Sequence, residues 1–245
     1  MNVYFFTSNF EIIKELELAG FDGVLHTYNA NNINAFINIA KNISSETKMK
    51  HMVAVRPYTV SPQFLFQIDK AFNELYKKNI LQINFICGWI KESEKDVKGI
   101  VGSVNDYSTS IERSNYLIEY IDVLESSNNQ SIDYYISVTN QFTFDSAVKN
   151  NSKIIIDYSH FKAKLYDIKD KKVMVGLNGA DKDGVLFSQE DLLKILLELE
   201  SSGIEGVFFG SGERNVIDHV IELVKKYKKR DFSSHLLEDY GKLDT

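Results

Sequence analysis

Short runs of β-branched and aromatic residues alternate along the chain with longer segments whose apolar positions return every three or four residues. Eight such runs stand out. They are Val3 to Phe6 (VYFF), Asp22 to His26 (DGVLH), Met49 to Val55 (MKHMVAV), Leu81 to Cys87 (LQINFIC), Asp133 to Thr139 (DYYISVT), Lys153 to Asp157 (KIIID), Lys172 to Leu177 (KVMVGL) and Gly206 to Gly210 (GVFFG). Between them the period lengthens to that of a helix. NFEIIKELELAG places Phe10, Ile13, Leu16 and Ala19 on one face and stops at Gly20, and Ser188 ahead of QEDLLKILLELESSG reads as an N-cap with an acidic first turn and a glycine stop at Gly203. The weakest helical segment is the sixth, FKAKLYDIKD.

Strand and helix alternating eight times in 245 residues predict a (β/α)8 barrel, a TIM-barrel fold that typically takes about 250. An open doubly wound sheet is the competing arrangement. No G-x-G-x-x-G follows the first strand, so a Rossmann dinucleotide site has no support. No linker rich in Pro, Gly or Ser divides the chain, and residues 1–245 are expected to form one domain. The two prolines, Pro57 and Pro62, bracket a stiff connection: Pro57 ends the third strand, and Pro62 suits the first turn of a helix capped by Ser61. That connection holds Arg56 and Tyr58 at a barrel mouth.

Charge narrows the field. With 28 Lys+Arg against 34 Asp+Glu the formal charge is −6, which argues against nucleic acid or an anionic membrane as partner. No apolar stretch reaches the roughly 18 residues of a membrane span and no secretory signal pattern opens the chain, so a cytoplasmic location is expected. Cys87 is the one cysteine, which excludes an intramolecular disulfide.

In such barrels the chemistry sits at the C-terminal strand ends. There the chain offers Thr7, His26, Arg56, Tyr58, Asn84, Gly88, Trp89, Thr139, Asn140, Asp157, Tyr158, His160 and Asn178, with Gly210, Ser211 and Gly212 after the last strand. The histidines lack the clustered spacing of a metal site, and no metal is expected. Gly210-Ser211-Gly212 is either a backbone cradle for phosphate or a tight turn.

The stretch from Ala19 to Leu124 resembles the bacterial luciferase-like flavin-dependent monooxygenases, and within them the alkanesulfonate monooxygenase branch. The resemblance is carried by GFDGVL, by VAVRP with SP four residues beyond that proline, by INFICG, and by Glu112-Arg113 opening the fourth helix. The second half is similar only in the order of its elements.

The resemblance implies reduced FMN supplied by a separate flavin reductase, with oxygen inserted into a small-molecule substrate; a deazaflavin, coenzyme F420, is the alternative cofactor. It also implies a homodimer, and a non-prolyl cis peptide near Val53-Ala54. Arg56 would balance developing negative charge, and His26 or His160 would serve as acid or base. Flavin contacts would come from Val53, Ala54, Tyr58, Asn84, Gly88, Trp89, Arg113, Tyr158, Thr139, Asn140, Gln141 and the Gly210–Gly212 loop.

The departures matter as well. Thr139, Asn140 and Gln141 replace a glycine-serine phosphate loop, Ser114 replaces an aromatic hydroxyl, and Asn32 falls where the sulfonate branch has its cysteine. Gly176-Leu177-Asn178 replaces an Arg-x-His, and only about ten residues follow before Ser188 where larger members insert a lid. Sulfonate cleavage is therefore not expected. A non-catalytic flavin-binding or partner protein of the same fold, like the short nonfluorescent flavoproteins, is the second reading.

Overall fold

The computed structural model describes residues 1–7, 9–27, 34–87, 109–126, 132–138, 140–150, 152–158, 168 and 172–229. Eight parallel strands close into a barrel in sequence order: β1 (Asn2–Phe6), β2 (Gly23–Thr27), β3 (Lys50–Val55), β4 (Leu81–Phe85), β5 (Tyr134–Ser137), β6 (Ile154–Asp157), β7 (Val173–Leu177) and β8 (Gly206–Gly210). The register between β8 and β1, from Asn2↔Gly206 to Phe6↔Gly210, seals the barrel without an edge. The helices are α1 (Ile13–Ala19), α2 (Ala35–Asn42), α3 (Pro62–Tyr76), α4 (Ser110–Ser126), α5 (Gln141–Lys149), α6 (Gln189–Ser201) and α7 (Arg214–Lys229). The expected sixth helical segment falls largely outside the described residues.

Local chemistry sets the helix ends. Ser61 and Ser188 accept hydrogen bonds from the N–H groups of Phe64 and Asp191, with Pro62 opening α3. Gly20, at φ 93°, ends α1 in the left-handed region, where a Cβ would be strained. The first helical segment begins as a 3-10 turn, Phe10–Ile12, capped by Asn9. Pro57 starts a second such turn, Pro57–Thr59, closed by Thr59 donating to the Arg56 carbonyl.

Alternation along the strands divides the apolar residues into two bodies. Tyr4, Met52, Tyr135, Met174 and Phe208 pack together inside the barrel, with Leu25 and Ile155 against them. Val3, Phe5, Val24, Val53, Val55, Ile83 and their outward neighbours meet the helices instead. Inside, aromatic bulk is matched to glycine: a Cβ on Gly23 would come within 2.3 Å of the Tyr4 ring. The Tyr4 hydroxyl donates to Gln82 Oε1 (2.8 Å), and Gln82 Nε2 donates to Asp133, itself paired with Lys153 at 2.5 Å. These bonds satisfy polar groups that the filled barrel would otherwise strand.

One expectation changes. All peptide bonds among the described residues are trans, including Val53-Ala54, so the cis bond implied by the resemblance is not there. Both residues pair in unbroken register with β2 and β4, a ladder that an extended trans strand completes without the several kcal/mol of a cis bond. In α3, Leu65, Phe66, Phe72 and Tyr76 are buried and Phe64 and Ile68 pack on the same core, so most of its apolar face is spent within the chain.

Among the described residues no helix is long and apolar enough to cross a membrane.

Candidate functional site

The C-terminal ends of β1, β6, β7 and β8 border a cavity of about 640 Å³. Phe6, Leu177, Phe208, Phe209 and Ile217 supply apolar walls, and Thr7, Asn9, Asp157, Asn178 and Ser211 supply polar groups. Two strand-end glycines shape it. Gly176 faces Asp157, whose Oδ1 would lie 3.2 Å from a Cβ there; Gly210 faces Phe6, whose own Cβ would lie 3.1 Å from one. The Phe6 Cβ cannot swing aside as the Asp157 carboxylate can, so the close fit at Gly210 is the firmer of the two. Asp157 is exposed at the mouth. No lysine, arginine or histidine lines the cavity among the described residues.

Gly210, Ser211 and Gly212 lead from β8 into α7. The Ser211 hydroxyl accepts from the Glu213 N–H (3.0 Å), and nothing lies within 4 Å of a Cβ placed on Gly212. The loop is thus open toward the cavity, at the N-terminus of a 16-residue helix with no acidic residue in its first turn.

The remaining predicted site residues are scattered. His26 shares the outward face of β2 with Val24 and is buried behind the barrel wall, 2% exposed. Phe10 stacks on its ring at a centroid distance of 5.0 Å, and its Nε2 meets Nδ1 of His51, fully buried on β3, at 3.0 Å. Burial, and then the neighbouring His51, push the His26 pKa down to about 3; burial pushes His51 down to about 4, opposed by Glu17. Both rings are neutral at pH 7, and His26 faces the helices rather than the mouth cavity. His51 was missed by sequence reasoning, although its place in a strand beside His26 was a usable signal.

Val53 also faces outward, whereas Ala54 and Asn84 face inward. Asn84 is buried, and the Ser137 hydroxyl donates to its Oδ1 (2.9 Å). Arg56 is half-buried at the start of the Pro57 turn. Tyr58 lies within that turn, its side chain outside the described part. Tyr158 points to α6, its hydroxyl donating to Glu198 (3.4 Å).

Two of the expected phosphate contacts, Asn140 and Gln141, bond within their own helix. Asn140 Oδ1 caps α5 by accepting from Thr143, and Gln141 Nε2 donates to Asp145 at 2.6 Å. Arg113 is buried, with its Nε on the Cys87 carbonyl (3.2 Å), and burial pushes the Cys87 thiol up to about 11. Asn32, Gly88, Trp89, Thr139 and His160 lie outside the described residues.

Of the predicted flavin contacts, then, the Gly210–Gly212 loop lines the cavity, joined by the strand-end candidates Thr7, Asp157 and Asn178. Gly176 and Leu177, which with Asn178 stand where the sulfonate branch has its Arg-x-His, line it too, while Phe6, Asn9, Phe208, Phe209 and Ile217 were not anticipated. No group of three or more His, Cys, Asp or Glu able to hold a metal occurs among the described residues.

Comparison with known proteins defines the class of fold. No protein-family model and no curated protein sequence matches the chain. Solved structures do. The chain superposes on the coenzyme F420 dependent tetrahydromethanopterin reductase from Methanopyrus kandleri with a TM-score of 0.65 at 12% identity, covering 95% of this chain and 99% of that one. The long-chain alkane monooxygenase LadA gives 0.64 at 11% identity, over 91% of this chain and 84% of that one. Monooxygenase RslO1 from Streptomyces bottropensis gives 0.65 at 8% identity, over 95% and 100%. The chain therefore has the luciferase-like TIM-barrel fold.

Proposed function

We propose that this protein is a flavin-dependent oxidoreductase whose reaction takes place at the mouth cavity, acting as a two-component monooxygenase on a small organic molecule with reduced FMN and O2. The observation that carries the reading is the cavity at the C-terminal ends of β1 and β6–β8, on a fold shared with two monooxygenases and a coenzyme F420 dependent reductase.

The residues present fit a flavin at one end. Gly212 leaves open space, and the N–H groups opening α7 and the Ser211 hydroxyl suit a phosphate. The flavin would supply the redox chemistry. The chain would supply apolar walls, Phe6, Leu177 and Phe208, to exclude water, and Asp157 and Asn178 to orient the substrate. His26 has no part in the reading, since its ring is neutral and enclosed by Phe10 and His51. A separate flavin reductase and a homodimer go with this reading.

A non-catalytic flavin-binding protein is the second reading, and one feature favours it. Between β7 and α6 the chain makes only a tight turn, with Asp181 Oδ1 accepting from the N–H groups of Asp183 and Val185 and Ala180 bridging Leu186. No lid is built there.

Titration with oxidised and then anaerobically reduced FMN, followed by admission of air, separates the readings. Tight binding of reduced flavin, with slow reoxidation coupled to substrate consumption in a substrate screen, supports the monooxygenase. Binding with simple reoxidation supports the silent flavoprotein. No binding in either state overturns both and directs the same titration to coenzyme F420.

A further inference from the structure

Phe10, His26 and His51 form a stack of nearly parallel rings on the outer face of β2 and β3: Phe10 lies 5.0 Å from His26 and His26 5.3 Å from His51, each pair tilted by 16°. The imidazoles are 2% and 0% exposed, while Phe10 is half-buried and so forms the outer layer of the stack. Between the facing nitrogens of a neutral pair only one N–H can lie. Whichever ring supplies it, one outer nitrogen keeps a hydrogen and the other a bare lone pair, and neither has a partner. The Phe10 ring is held on this pair by packing.

Phe10 is also tied to the mouth. It opens the 3-10 turn that follows β1, and the residue before it, Asn9, lines the mouth cavity with Thr7. The Asn9 N–H donates to the Thr7 hydroxyl (3.0 Å), Asn9 Oδ1 accepts from the Glu11 N–H (2.9 Å), and the Ile13 N–H closes on the Phe10 carbonyl. With bonds on both sides of it, Phe10 cannot leave His26 without moving Asn9. Of the charged groups on the surrounding elements, Glu17 of α1 acts on the pair: it favours a charged His51, and is itself held by the Thr47 hydroxyl and the Lys48 N–H. Glu11, Lys14 and Lys41 are exposed, Glu15 pairs with Arg214, and Lys50 and Lys78 donate to the Asn79 and Thr47 carbonyls. The residues that α2 buries are apolar.

We propose that Phe10 is a proton-operated latch on the β1 side of the mouth: it seats on His26 while that ring is neutral and leaves when the ring takes a proton, carrying Asn9 away from the cavity wall. With Phe10 seated, a charge on His26 would be desolvated, and burial, then His51, hold its pKa at about 3. With Phe10 out, the ring reaches water and titrates toward its ordinary 6.5. The seated form is fully favoured above pH 6.5, and below it the open form gains up to about tenfold per pH unit, about 30-fold by pH 5. The latch needs no cofactor and stands whether or not the cavity takes a flavin.

Amide hydrogen exchange at pH 7.5, 6 and 5, corrected for intrinsic rates and run with and without low urea, tests it on the whole chain. The opening constant of the Asn9, Glu11 and Ile13 amides should rise about 30-fold from pH 7.5 to 5 and ignore urea, since little surface is uncovered. Amides of β8 should respond to urea, because they exchange through global unfolding. His26→Leu keeps an apolar seat and should remove the rise. Phe10→Ala removes the outer layer, so its His26 ring should titrate well above the wild-type ring by NMR. A flat profile at the turn, turn amides that match those of β8 at every pH, a rise that survives in a folded His26→Leu, or an unshifted His26 in Phe10→Ala each overturn the proposal. The exchange profile and the Phe10→Ala titration decide it even if His26→Leu does not fold.

Discussion

Nε2 of His26 and Nδ1 of His51 face each other at 3.0 Å behind the barrel wall, and the outer nitrogens of both rings, His26 Nδ1 and His51 Nε2, are buried with no hydrogen-bond partner among the described residues. Two neutral imidazoles thus occupy a place that water does not reach, and neither can gain a proton without desolvating a charge.

That arrangement predicts acid sensitivity beginning near neutrality. The folded pKa values, about 3 and about 4, lie below the unfolded value of 6.5, so below pH 6.5 the unfolded chain binds protons that the folded one does not. Stability is full above 6.5 and falls as pH drops toward 4, by about 2 kcal/mol per histidine at pH 5. Urea unfolding at pH 7.5, 6 and 5 measures this. A His26→Leu/His51→Leu double variant should show a shallower pH slope in that window; an unchanged slope would refute the assignment.

The same pair predicts non-additivity. Removing one ring leaves the other nitrogen facing a void, at about 1–3 kcal/mol, whereas replacing both with leucine approaches neutrality. Three unfolding curves at pH 7.5 provide the cycle, and simple additivity would mean the rings do not interact.

Gly23→Ala should destabilise by about 2 kcal/mol or more, since its Cβ would sit 2.3 Å from the Tyr4 ring and 2.8 Å from the Lys50 carbonyl. The carbonyl is backbone and cannot swing aside. Combining it with Tyr4→Leu should recover only part of the loss, as judged by the shift in urea midpoint.

Gly176→Val tests where ligands bind. Its side chain would fill the space next to Asp157, so flavin binding should weaken by at least about 10-fold while the circular dichroism spectrum is retained. Unchanged affinities in a folded variant would move the site away from β6 and β7.

Ser188→Ala should cost about 1 kcal/mol, because the hydroxyl accepts from the Asp191 N–H and donates to its carboxylate (2.6 Å), tying the first turn of α6. Thermal unfolding reads this directly; a change of a few tenths of a degree would show that water replaces the cap.

The sequence by itself determined the barrel. All eight apolar runs became strands within one or two residues of their expected bounds at the N-terminal end, because β-branched runs, serine caps, Gly20 and the two prolines act over a few residues each. It also placed Asp157, Asn178 and Gly210–Gly212 at a mouth, since chain direction in a parallel barrel fixes which strand ends meet. Which way each side chain turns there was decided only in three dimensions. His26 was read as a mouth residue from its strand-end position, yet the pleat directs it outward to Phe10 and His51; Asn140 and Gln141 were read as phosphate donors, yet their nearest partners, Thr143 and Asp145, are in their own helix. Phe6 and Phe208 joined the cavity because β1 and β8, first and last in the chain, become neighbours only when the barrel closes, a contact between distant parts of the chain that local pattern does not encode.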